Sequence, residues 1–264
     1  MSESKPAAVA PTPEPPATTP TAPVVLPSRG VLYGSLIPDG KVMIRKLTVG
    51  EMSILEGQGG SAVQRISAII RACCRLPLPG INHSQLLITD RFAILLALRT
   101  FTYGPVYEYQ YKCAFCGIMQ KVSMNIATDL EEHSASDDLT EPITVETVDT
   151  RATLALRFLR GEDEDRVAES TKKLRLQSND PGDPSSIMRL ALQIVSIDGR
   201  EYILRDREAF ARNLTAADQV RIRQAVDEKE PGLDLTVYPD CRGCGSTNEM
   251  VMPFSAEFFR PSKL

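Results

Sequence analysis

The sequence has little with which to carry out chemistry or hold a polyanion. It contains only two histidines. His83 lies in a Pro/Gly/Asn loop and His133 in an acidic stretch, so both read as solvent-exposed residues rather than general bases. No phosphate-cradling glycine loop, no dinucleotide fingerprint and no serine in an elbow motif is present, which argues for a non-enzyme. Cationic excess is missing too. A net charge of −4 and a pI near 5.4 provide no electrostatic reason to bind nucleic acid or an anionic membrane. The longest apolar run, Phe92 to Leu98, is far short of the ~20 residues that span a bilayer. The N-terminus also lacks the basic start and apolar stretch of a secretory signal. The expectation is a protein made and folded in a reducing cytoplasm, where paired cysteines act as metal ligands or redox groups more readily than as disulfides.

What is present is an ordinary globular composition, 42% hydrophobic and 24% charged over 264 residues. That suits one domain with a sizeable insertion, or two packed domains. Residues 1–28 differ, carrying eight of the 19 prolines and almost nothing that could build a core; they read as an extended tail of polyproline character.

Periodicity organises the rest. A turn signal at Leu26–Tyr33 precedes a strand at Lys41–Thr48. Thr48 with Glu51, and Ser61 with Gln64, are capping boxes that open two helices. The second of these sets Val63, Ile66, Ile70 and Cys73 on one face, making Cys73 a core thiol; its neighbour Cys74 has no evident partner. A third helix, about Thr89–Thr100, is apolar on most sides and so packs centrally. Tyr107, Tyr109 and Tyr111 then alternate with polar residues, and Val122, Met124 and Ile126 return the pattern, giving a hairpin. Residues 128–141 read as an acidic loop, and 143–148 with 152–158 as further strands. The run Glu162–Asp165 reads as a helix start whose negative charge complements the macrodipole. A helix is predicted over Ser185–Ser196, and another from a Thr215/Asp218 cap toward Glu228. Leu233–Tyr238 and Glu249–Met252 form a second hairpin.

At the tips of the two hairpins lie Cys113-Ala-Phe-Cys116-Gly117 and Cys241-Arg-Gly-Cys244-Gly245. A C-x-x-C turn lets two thiolates reach one ion, and glycine after the second cysteine favours the tight turn. The doubling is the pattern of a zinc ribbon, with Cys113, Cys116, Cys241 and Cys244 as ligands of one structural zinc. Disulfides and C-x-x-C redox chemistry are the competing readings. Lys112, Lys121 and Arg242 are the only cations near the knuckles, too few for more than weak nucleic-acid binding. Between Cys116 and Cys241 lie 124 residues, read as an insertion carried by the ribbon. The C-terminal Phe254, Phe258 and Phe259 either fold back onto the chain's own core or contact a partner subunit.

The segment Leu-Pro-Ser-Arg-Gly-Val-Leu-Tyr at 26–33, the strand Lys-Val-Met-Ile-Arg-Lys-Leu-Thr at 41–48 running into a Glu-containing helix, the late knuckles and the ending Phe-Phe-Arg-Pro at 258–261 together resemble the baseplate hub family of contractile-tailed, T-even-type bacteriophages. The likeness covers most of the chain from about residue 26. It implies a structural or assembly protein of the hub or a hub-proximal wedge. The host cytoplasm would be its place of assembly and the virion tail its destination. Its partners would be other tail proteins: hub, spike, wedge or tube-initiation subunits. Residues 1–28 with Phe258 and Phe259 are the candidate interface. The expected fold is α+β: antiparallel, zinc-ribbon-like hairpins with a large mixed insertion, helices packed around them and an extended N-terminal tail. Its segments would be 1–28 (tail), 29–103 (strand and helices), 104–127 (first Cys hairpin), 128–232 (insertion) and 233–264 (second Cys hairpin and aromatic end).

Overall fold

The computed structural model describes residues 19–57, 61–177, 183–253 and 258–259. Most of the proline-rich stretch, residues 1–18, lies outside them. Strand β1, Thr21–Val25, falls inside the segment expected to be tail, yet it pairs antiparallel with β2, Lys41–Arg45. Leu26 N–H donates to Gly40 O at 2.9 Å and Lys46 N–H to Pro20 O at 3.3 Å. Alternation along the ladder therefore turns the backbone groups of residue 23 away from β2. Pro23 has no N–H to lose there, which is how a proline can sit in an edge strand and blunt it.

Helix α1, Val49–Glu56, and helix α2, Ala62–Cys73, both open on the expected capping boxes. Strand β3, Cys74–Arg75, continues directly from α2 and adds to β2, so β1-β2-β3 form one sheet. Helix α3, Ile88–Tyr103, is the centre of the molecule. Its Ile94, Leu95 and Leu98 face one large core and its Leu96 a second, which explains why it is apolar on most sides.

Buried polar groups fix the start of α3. Asp90 is fully buried and accepts from Ser28 N–H at 3.0 Å and from the Tyr33 hydroxyl at 2.5 Å. The same hydroxyl accepts from Leu87 N–H at 2.8 Å. Burial pushes the Asp90 carboxyl up, opposed by the Ser28 and Tyr33 hydrogen bonds. Residues 26–33 are thus a backbone lock onto α3. Two glycines make it possible: Gly30 and Gly40 both have positive φ, and a Cβ on Gly40 would stand 2.6 Å from Arg29 Cα.

Strands β4, Val106–Lys112, and β5, Met119–Asn125, form the first hairpin. Strand β6, Glu132–His133, interrupts the region expected to be only loop. Strands β7, Ile143–Glu146, and β8, Thr153–Leu156, lead to α4, Gly161–Gln177. Its acidic run does more than meet the dipole: fully buried Asp163 takes both guanidinium nitrogens of Arg157, at 2.8 and 2.7 Å. Helix α5, Ser185–Gln193, stops earlier than its apolar stripe predicts. Ile194 and Val195 belong instead to β9, Ile194–Ile197, which pairs with β8 and, across an Asp198-Gly199 turn of positive φ, with β10, Arg200–Glu201. The resulting sheet has the order β10-β9-β8-β7.

Helices α6, Leu204–Asn213, and α7, Ala216–Asp227, follow, the latter opened by the Thr215/Asp218 capping box. The strand expected over Leu233–Tyr238 is split. Strand β11, Gly232–Leu233, pairs with β6, and β12, Thr236–Val237, pairs with β13, Met250–Val251. Beyond α7, Glu230 backs onto a polar cavity of about 450 Å³ lined also by His133, Asp138 and Pro142. Burial, then the charges of Asp227, Glu141 and Asp90, push its carboxyl up to about 7.

Gly40→Ala should destabilise by roughly 3 kcal/mol or more, because positive φ and a backbone collision add. Gly50→Ala, at an exposed position in the first turn of α1 where a Cβ would meet only Thr48 Oγ1 at 3.4 Å, should instead stabilise by up to about 0.5–1 kcal/mol; denaturant melts compare the two. The Glu230 pKa lies above its value in the unfolded chain, so the unfolded state releases this proton first. Its contribution to stability is present below pH ~4.5 and lost as pH rises through about 7. Glu230→Gln should flatten that part of the stability–pH curve.

Candidate metal centre

The first hairpin buries one face. Tyr107, Tyr109 and Tyr111 are 1%, 4% and 6% exposed, as strand alternation requires. Two of their hydroxyls reach segments far along the chain, Tyr107 to Pro253 O at 2.7 Å and Tyr111 to Pro239 O at 3.3 Å. The second hairpin is thereby laid against the first, and the two turns at their tips meet.

Both turns have the same bonding. Cys113 N–H donates to Ile118 O and Cys241 N–H to Ser246 O, each at 3.0 Å; Gly117 N–H returns to Cys113 O at 3.0 Å and Gly245 N–H to Cys241 O at 2.8 Å. Gly117 and Gly245 both sit at φ 73, the left-handed conformation that closes the turn and favours glycine. The sequence therefore builds one local structure twice.

All four predicted cysteines come together, their Sγ atoms within 4.8 Å of one another. Cys113 lies 3.8 Å from Cys244 and Cys116 3.6 Å from Cys241. Four sulfurs around an ion with bonds of about 2.3 Å would stand about 3.8 Å apart, whereas bonded sulfurs are about 2.05 Å apart. The donor set thus fits a tetrahedral thiolate-binding cation. Cys113 and Cys241 are buried with the tyrosines, while Cys116 and Cys244 are exposed.

The turn amides polarise the sulfurs. Hydrogen bonds from the backbone of Cys116 and then Phe115, with help from Asn248, bring the Cys113 thiol down to about 6. Cys244 is lowered by the Ser246 hydroxyl and backbone. At Cys116 the backbone of Ile118 acts in the same sense, but desolvation and the neighbouring sulfurs outweigh it and push the thiol up to about 12. Crowded sulfurs cannot all ionise without a compensating positive charge. Gly243 N–H also donates to Cys241 Sγ at 3.3 Å.

Two groups at the centre were not anticipated from the sequence. Asn248 Oδ1 accepts from Ala114 N–H at 2.9 Å, and Gln120 Oε1 from Arg242 N–H at 3.4 Å. Each links one knuckle to the other. The only available signal was their position, seven residues after Cys241 and Cys113 respectively.

Other expectations change. Phe258 is 1% exposed and packs edge-on against Tyr107 at 5.2 Å and Phe259 at 4.7 Å, so it caps the chain's own core and is not available as an interface. Phe254 lies outside the described residues. His83 is half-buried, its Nε2 2.8 Å from Cys74 O. Cys73 and Cys74 are both buried, and burial pushes their thiols up to about 11 and about 12. Of the three cations near the knuckles, Lys121 is ion-paired with Glu108 at 2.7 Å, which weakens the case for a nucleic-acid surface further.

A family model described as T4 bacteriophage base plate protein matches residues 32–260. The chain belongs to this family. No curated protein and no solved structure matches it. As a T4-type baseplate protein it is a structural component of the phage tail rather than an enzyme, and it works in contact with other tail proteins. Among the described residues no helix is long and apolar enough to cross a membrane.

Phe258→Ala should cost this baseplate protein about 3–5 kcal/mol, the usual range for emptying a buried phenylalanine site. Phe115→Ala, at a hairpin tip where the ring is 68% exposed, should cost under about 0.5 kcal/mol. Thermal melts of the two variants test whether the aromatic end belongs to the core.

Proposed function

We propose that this protein is a hub or hub-proximal wedge subunit of a contractile-tail baseplate, in which Cys113, Cys116, Cys241 and Cys244 hold one structural zinc ion. The observation that carries the metal reading is the convergence of four sulfurs from two segments 124 residues apart in sequence. The hub-proximal location is supported by the short sequence motifs at 26–33, 41–48 and 258–261. Bound at the four thiolates, zinc supplies a crosslink between the hairpins and makes them a ribbon that carries the residues between them.

Everything else at the centre belongs to the chain. The knuckle amides stabilise ionised sulfur, the tyrosine face excludes water from Cys113 and Cys241, and the two turns share the same backbone hydrogen bonds. Four protein ligands fill the coordination sphere, leaving no position for substrate, which is the arrangement of a structural site. Assembly in the host cytoplasm suits such a centre, because thiolates remain reduced there. Contacts with neighbouring hub, spike, wedge or tube-initiation subunits would use surface the core leaves free. The exposed Phe115, Ile118 and Met119 at the tip of the first knuckle are apolar groups of the kind such contacts bury.

Elemental analysis of purified protein should find one zinc per chain, and Cys113→Ser or Cys241→Ser should abolish it and lower the melting temperature steeply. Either variant retaining both zinc and stability would refute the shared centre. Locating the chain in an image of the particle tests the hub-proximal placement; density confined to the baseplate periphery would refute it.

A further inference from the structure

The two knuckles are related by more than their cysteines. Counting from Cys113 and from Cys241, the residue at +4 is a glycine of positive φ, the carbonyl at +5 accepts from the cysteine N–H, and the side chain at +7 is a carboxamide. Those carboxamides, Gln120 and Asn248, are 8% and 5% exposed. Neither bonds the corresponding N–H of its own knuckle. Asn248 crosses to the N–H of Ala114, the residue after Cys113, and Gln120 crosses to the N–H of Arg242, the residue after Cys241. Position +7 of each hairpin therefore holds position +1 of the other.

We infer that Gln120 and Asn248 are reciprocal positioning residues of the cysteine centre, each fixing the turn that presents the opposite hairpin's sulfurs. Three features carry this. Both side chains are buried, so their oxygens need a partner, and the partner each finds is a turn amide beside a cysteine. The two bonds are exchanged rather than parallel, so separating the knuckles breaks both. A carboxamide also supplies an acceptor without charge, where a carboxylate would add a negative group beside crowded sulfurs. Asn248 is tied further, its Nδ2 donating to Ser246 O at 3.1 Å and lying 3.5 Å from the Tyr111 hydroxyl. Its oxygen is therefore aimed at Ala114 by its own hairpin. The bond lengths make Asn248 the tighter of the two clasps.

The inference rests on the zinc reading only for what the sulfurs hold; the crossed hydrogen bonds stand without it. Asn248→Leu and Gln120→Leu, of similar size without the acceptor, are compared with the unmodified full-length protein by amide hydrogen exchange and by alkylation rates of the individual cysteines. Asn248→Leu should deprotect Ala114 N–H and make Cys116 the faster of the two exposed cysteines to alkylate, buried Cys113 being set aside because Asn248 itself lowers its thiol. Gln120→Leu should deprotect Arg242 N–H and favour Cys244. In zinc-loaded protein both should speed zinc transfer to a chelator by about 10-fold or more at unchanged zinc content, the usual size of effect for groups that orient metal ligands. The same order of alkylation in both variants, or protection lost equally at both amides, would overturn the inference, since global loosening has no crossed pattern. If the leucine variants do not fold, Asn248→Ser and Gln120→Ser, which shorten the reach but stay polar, carry the same test. A wild-type chain without zinc would refute the metal reading, while exchange and alkylation would still decide the clasp.

Discussion

The structure depends on holding two hairpins together across 124 residues of intervening chain. The entropy of closing such a loop grows only with the logarithm of its length, which for this span is about 4 kcal/mol plus a constant. The tyrosine face, the hydroxyls of Tyr107 and Tyr111 on distant carbonyls, and the Phe258 ring against Tyr107 each contribute on a scale of about 1–3 kcal/mol. That is enough to bring the tips together but leaves a small margin. A four-thiolate zinc centre contributes about 10–16 kcal/mol in small domains, which here would change a marginal closure into a secure one. The apolar contacts position the sulfurs, and a bound cation would make the position hard to leave.

How legible this was in the sequence follows from whether a feature is local. The capping boxes at Thr48/Glu51, Ser61/Gln64 and Thr215/Asp218 all form, because each is decided within four residues. The tyrosine alternation and the two knuckles are equally local, and both stand as the pattern required. Ile194 and Val195 continue the apolar stripe of α5 yet lie in β9, because a buried strand and a helix stripe look alike over a few apolar residues; the Asp198-Gly199 turn is the local sign of a strand. Strand β6 could not be read at all. It is two residues long and exists only through its pairing with β11. The Gln120 and Asn248 contacts were out of reach for the same reason, since the meaning of a polar residue seven positions beyond a cysteine depends on a partner more than a hundred residues away.

Residues 26–33 illustrate how a recognisable sequence can have a purely mechanical basis. Ser28 contributes its N–H, Tyr33 its hydroxyl, and Gly30 the space that its near contact with the Ile37–Gly40 backbone demands. Together they satisfy Asp90, whose isolated burial would otherwise be costly. Arg29 alone points outward, with positive φ and its side chain exposed. Leu26, whose N–H extends the β1–β2 ladder to Gly40 O, and Ser28, Gly30 and Tyr33 are all explained by locking an edge strand onto α3, so the likeness of this stretch to baseplate proteins reflects architecture at least as much as partner recognition.

The asymmetry within the two otherwise matched knuckles decides which side of the centre is open. At the position two after the first cysteine, one knuckle has Phe115, exposed, and the other Gly243. Ile118 lies over Gly243, so that a Cβ there would stand 2.9 Å from Ile118 Cδ1. The first hairpin covers the second on that face, and among the described residues nothing equivalent from the second covers Phe115. The centre therefore has one sulfur of each pair in the tyrosine core and one toward solvent, with its largest exposed apolar group on the solvent side. A catalytic centre needs an open coordination position facing its cleft. Here all four cysteines would be taken up as ligands, and what faces solvent beside Cys116 and Cys244 is the apolar tip of the first hairpin, Phe115, Ile118 and Met119.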